Sequence, residues 1–116
     1  MSLVEITALS LAEIVGDFGF KKFANQGGII PLVTGCVGYV FVILFLIMSL
    51  QGSSVMLING AWDSVSAIIE SLAAYIFLGE RFESFSQYFG LGFIVFGMYL
   101  LRVPLTRDHK FKWPSI

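Results

Sequence analysis

Four apolar stretches, 3–20, 29–50, 55–78 and 85–103, alternate with short polar breaks along the chain. Each is close to the ~20 residues that carry a helix across a bilayer. The breaks are chemically distinct. Lys21-Lys22 stops the first stretch, and Asn25-Gln26-Gly27-Gly28 comes next as a flexible loop. Pro31 falls in the first turn of the second stretch, where a missing N–H is harmless. Gln51-Gly52-Ser53-Ser54 is a short turn with a serine placed to cap the third stretch. Gly79-Glu80-Arg81-Phe82-Glu83-Ser84 separates the last two stretches, and Pro104 ends the fourth. The pattern predicts an all-α membrane protein: four transmembrane helices with short loops over residues 1–104, then a polar C-terminal tail over 105–116. Short loops imply an up-down-up-down bundle with both termini on one side. Four short helices bury little by themselves, so self-association is expected.

Polar residues inside the spans draw two stripes. Ser10, Glu13 and Asp17 fall at i, i+3 and i+7 on the first helix, hence on one face. Asn59, Asp63, Ser66 and Glu70 fall at i, i+4, i+7 and i+11 on the third. A charged acid at bilayer depth costs about 2.5–3.5 kcal/mol on insertion scales, so such groups face a bundle interior or a water-filled cleft and mark ion or proton pathways. Glu13 and Asp17, one turn apart, resist joint ionisation. A carboxylate in that position can hold a proton when its site is empty and release it when a cation arrives. Lys21 follows Asp17 by four and is placed to pair with it. The competing reading is a structural network in which the acids stay protonated and lock the helices together.

Composition supports the membrane assignment. The chain is 57% hydrophobic and only 13% charged, against about 25% charged in soluble domains. A net charge of −1 offers nothing to nucleic acid. No basic segment precedes the first apolar run, which itself carries acids, so no cleavable leader is expected. The single cysteine, Cys36, lies in an apolar run and reads as a small buried hydrophobe. The only histidine, His109, is in the tail, and no nucleophile–base pair or metal-ligand cluster is evident. Neither an enzyme nor a cofactor or metal site is therefore expected.

Basic residues barely orient the chain. Lys21, Lys22 and Arg81 flank the helices on one side; Arg102, Arg107, Lys110 and Lys112 flank them on the other. The positive-inside rule needs an asymmetry. Its near absence leaves both orientations open, and with them an antiparallel homodimer; the alternative is one orientation set by the tail.

Aromatic side chains beside carboxylates suit organic cations through cation–π attraction. Trp62, next to the third-helix stripe, and Tyr39, on the second helix, are the best placed. Tyr75, Phe77, Tyr99 and Trp113 read as interfacial anchors. On the fourth helix Gly90 and Gly97, seven apart, share one face and permit close helix approach, either within the chain or as a homodimer seam.

Taken in order, these features resemble the small multidrug resistance family of four-helix exporters. The resemblance rests on Ala12-Glu13-Ile14-Val15-Gly16, Pro31, Tyr39, Ala61-Trp62, Gly79-Glu80-Arg81-Phe82, Gly90 and Gly97, and covers residues 3–103. It implies an antiparallel homodimer that exchanges protons for organic cations by alternating access. Glu13 would be the shared proton and substrate site, Trp62 and Tyr39 would line it, and Gly90 and Gly97 would form the dimer contact. The chain departs from the family pattern at Asn59, where a tyrosine is usual, and at Ser64 and Ser66, where glycines are usual. Asp17, Asp63 and Glu70 are additional acids. They suggest a smaller or more hydrophilic cargo, polyamine or guanidinium-like, rather than a flat lipophilic dye.

The leading expectation is thus a proton-coupled antiporter of small organic cations (polyamine, guanidinium-like or quaternary ammonium) in a cell inner or plasma membrane. Its partners would be lipids and a second copy or a paralogue. The alternative is a non-transporting membrane subunit or assembly factor whose acidic faces bind a partner helix. A cation channel is a weaker third reading.

Overall fold

The polar breaks become helix breaks in the structure, a computed structural model that describes residues 2–105 and 110–116. Arg107 and His109 of the tail lie outside the described residues. Four helices follow in order, α1 Leu3–Gln26, α2 Ile29–Leu50, α3 Val55–Phe77 and α4 Phe85–Leu101, with no strand among the described residues.

Local chemistry sets the ends. The Ser2 hydroxyl accepts from the Glu5 N–H at 3.3 Å and starts α1. This helix continues past the expected stop at Lys21-Lys22, because lysine and alanine are good helix formers. Its first obligatory break is Gly27, at φ 73°. The Ser54 hydroxyl accepts from the Leu57 N–H at 3.1 Å to open α3. Gln87 reaches back at the start of α4, its Oε1 accepting from the Glu83 and Ser84 N–H groups at 3.0 and 3.2 Å. Arg102, in the left-handed region at φ 52°, ends α4. The Leu3 N–H donates to the Pro104 carbonyl at 2.7 Å, joining the beginning of α1 to the end of α4.

The helices form an open row rather than the closed bundle that short loops imply. α1 lies between α2 and α3, while α4 packs on α3 alone. The resulting slab measures 42 × 37 × 19 Å. Glycines explain the tight half of the row. A Cβ on Gly38 would lie 2.5 Å from the Gly16 nitrogen, and one on Gly19 would lie 2.7 Å from the Gly35 nitrogen. Backbones this close admit no side chain between them. On the other side of α1, Ile6, Ile58, Ala61 and Val65 form a small buried cluster, with Leu46, Leu50, Ile69 and Met98 around it. α4 buries no residue and turns Phe85, Phe89, Phe93 and Phe96 outward.

Among the described residues, α2 is the one helix long and apolar enough to cross a membrane. α4 is apolar but has only 17 residues, and α1 and α3 are interrupted by their carboxylates.

Candidate functional site

Because α1 is the central helix, its acid-bearing face is held between α2 and α3. Ser10 on that face is fully buried. Glu13 accepts a hydrogen bond from the Ser66 hydroxyl of α3. One turn on, Asp17 accepts from the Tyr39 hydroxyl of α2. Glu70 completes the group: one oxygen from each of Glu13, Asp17 and Glu70 lies within 4.8 Å of the others. All three residues are half-buried. Gly16 makes the Tyr39 contact feasible, since a Cβ there would stand 2.6 Å from the tyrosine Cδ2. Phe20 stacks on the same ring at 5.5 Å between centroids and holds it from the other end.

A cavity of about 930 Å³ opens beside this group, with Asp17 and Glu70 in its wall. Phe18, Leu72, Tyr75 and Leu91 make its surface predominantly apolar, and the α3–α4 loop contributes Glu80 and Arg81. Lys21 also lines it and forms an ion pair with Glu80, both side chains being about half exposed. The lysine was expected to pair with Asp17. It instead meets Glu80, which the turn at Gly79 (φ 67°) brings back toward α1, while Asp17 is engaged by Tyr39. The Arg81 guanidinium lies 3.4 Å over the Tyr75 ring centre and donates to the Tyr75 and Glu80 carbonyls at 2.9 and 2.8 Å.

Clustered oxygens of this kind suit a hard metal cation or an ammonium group, with Glu13, Asp17 and Glu70 as the residues able to hold it. With Lys21 held by Glu80 and Arg81 held by carbonyls and a ring, the three acids keep an excess of negative capacity toward the cavity.

The structure therefore unites Glu13, Asp17, Glu70, Ser66 and Tyr39 and separates the other expected site residues from them. Asn59 and Asp63 are exposed on the flank of α3 and do not line the cavity. The stripe splits because α3 turns its Ile58–Ala61–Val65 side into the core, which leaves one edge of the stripe outside. Trp62 packs against that core cluster, its Nε1 buried with no hydrogen-bond partner among the described residues. Cys36 is exposed rather than buried, since α2 presents glycines, not the thiol, to α1. Around Gly90 and Gly97 there is open space, and a Cβ at either would meet nothing within 4 Å among the described residues. Tyr75 is a cavity-wall residue under Arg81, not merely an interfacial ring. The ion pair across the cavity and the wall contributed by α3 and α4 had no signal in helix periodicity, because both depend on the path of the Gly79 turn. Comparison with family models, curated proteins and solved structures gives no match, so the resemblance to the small multidrug resistance family stands on its sequence motifs alone.

Proposed function

We propose that this chain is a multi-pass membrane protein that exchanges protons for small organic cations. The observation that carries the reading is the convergence of Glu13, Asp17 and Glu70 on one point beside a largely apolar cavity. Acidic groups at membrane depth mark ion and proton pathways, and a cation and a proton compete for one such site, so cation binding and proton release are linked there. The Tyr39 and Ser66 hydroxyls donate to Asp17 and Glu13 and hold the carboxylates in position for either occupant.

Other features support the membrane half of the proposal. In α2 only Gly35, Gly38, Val42 and Ser49 are buried, which suits lipid contact better than a soluble core. α4 exposes a continuous aromatic face. The finer elements, four crossings and an antiparallel homodimer of the small multidrug resistance type, rest on the resemblance and on the balanced flanking charge. The cavity wall modifies the expected cargo. A cation with one charged group and an apolar body matches Asp17 and Glu70 set among Phe18, Leu72 and Leu91.

The test is proton flux in proteoliposomes loaded with a pH-sensitive dye and challenged with guanidinium, spermidine and tetraphenylphosphonium gradients. Flux driven by at least one cation and lost in Glu13→Gln is expected. Absence of flux with every cation would remove the transport reading.

A second reading keeps one supporting observation. Asn59 and Asp63 stand exposed on α3, where a partner helix with basic or amide groups could meet them. A non-transporting subunit would co-purify with such a partner and lose it on Asp63→Leu, with no cation-driven flux in either form.

A further inference from the structure

Lys21 lies four residues after Asp17 on α1, so the two side chains share one face. Both line the same cavity. Yet the ammonium is drawn away from Asp17 by Glu80, which comes from the α3–α4 loop and lines that cavity as well. We propose that Lys21 is a tethered internal cation that alternates between Glu80 and Asp17, so that Glu80 acts as a positioning residue that keeps the carboxylate site free for cargo.

The physical argument is one of competition. A lysine carries a compact charge on a flexible four-carbon stem. From a position one helical turn away, that stem is long enough to present the charge to Asp17. Two anions bid for it: Glu80, outside the acid cluster, and Asp17, inside it. When Glu80 holds the ammonium, Lys21 does not offset the charge of the acid group, which stays open to a cation entering the cavity. When Lys21 turns to Asp17, it neutralises part of that charge and releases the loop, since Lys21–Glu80 is the ion pair that ties α1 to the Gly79 turn. Arg81 does not substitute for it, because its guanidinium is engaged by the Tyr75 ring and two carbonyls of its own loop. Departure of cargo and arrival of Lys21 at Asp17 are thus alternatives, which gives the site a built-in means of expelling its occupant.

This inference rests on the cation-binding reading of the site, and two measurements separate their fates. The first needs no ligand: the acetylation rate of Lys21 by a water-soluble ester, relative to Lys22 in the same chain, read by mass spectrometry. Lys21 should react more slowly than Lys22 in the wild type and stay slow in Glu80→Gln, because Asp17 receives it. It should approach the Lys22 rate only in the Asp17→Asn/Glu80→Gln double variant. A Lys21 rate in Glu80→Gln already equal to that of Lys22 overturns the proposal whatever the protein transports. The second measurement is tetraphenylphosphonium binding. Glu80→Gln should weaken it on the order of tenfold, the size of one charge-assisted contact, and Lys21→Met/Glu80→Gln should restore it. A merely structural ion pair predicts the opposite, namely that Lys21→Met and Glu80→Gln are equally harmful and the double variant is not rescued. If no cation binds the wild type while the acetylation pattern holds, the transport reading fails and the alternation of Lys21 stands.

Discussion

The Tyr39 hydroxyl donates to the Asp17 carboxylate across the α1–α2 seam, and it reaches there only because Gly16 leaves room beneath the ring. A missing side chain on one helix therefore sets the position of a polar group from the next. The relationship links packing directly to the candidate site: whatever spreads the seam also moves Tyr39 away from the acids.

Gly16→Ala tests that link. The new methyl would meet the Tyr39 ring at 2.6 Å, and overpacking of this kind costs about 1–3 kcal/mol. Cation-driven flux should fall at least as far as in Tyr39→Phe, which removes the hydroxyl alone. Gly97→Ala, where nothing lies within 4 Å among the described residues, should leave the thermal stability of the monomeric unit unchanged. Equal losses from Gly16→Ala and Gly97→Ala would show that the seam has no special role.

Glu13→Gln should abolish proton-coupled exchange while the protein still inserts and self-associates. The amide keeps the size of the side chain and can still accept from Ser66, but it cannot release a proton. Exchange by the purified variant at the wild-type rate is the result that sinks the assignment.

Trp62 separates packing from binding. Since it packs on the Ile6–Ile58–Ala61–Val65 cluster, Trp62→Ala should cost about 3–5 kcal/mol. Trp62→Phe removes an indole N–H that is buried with no partner among the described residues, and should be close to neutral in thermal unfolding. Retained cation binding in Trp62→Phe is expected; loss as complete as in Glu13→Gln would put the indole in the binding site.

Cargo preference depends on which acids share the cavity. Asp17 and Glu70 line it and Asp63 does not. Asp63→Asn should accordingly change spermidine and tetraphenylphosphonium competition little, whereas Glu70→Gln should weaken both. A selective loss of spermidine binding in Asp63→Asn would mean that Asp63 completes the site from a second chain.

Topology can be read with one introduced tail cysteine. Cys36 is exposed, so it must first be replaced by alanine. A cysteine at Ser115 should then label from both sides of the membrane, as the balanced flanking charge implies. Labelling from one side alone would exclude an antiparallel pair of identical chains.

Much of this molecule is legible in one dimension. The four helices arise from apolar stretches set between glycines and serines, and α2 occupies the stretch read for it, 29–50. Periodicity alone also put Ser10, Glu13 and Asp17 on one face and Ser66 and Glu70 on another, because helix geometry fixes those angles. It could not say which edge of the α3 stripe would be covered. Asn59 and Asp63 share that stripe with Ser66 and Glu70, and the core cluster around Ile58 and Val65 left them outside. Nor could it give Lys21 a partner: Asp17 is nearer in sequence, but Glu80 is 59 residues away and is returned by a glycine turn. Helix formation and the polarity of each face are local properties of the backbone and its side chains, so the order of residues is enough to set them. Which faces meet is a matter of packing in three dimensions. It depends on how closely glycines let α1 and α2 approach and on where the α3–α4 turn sends the chain.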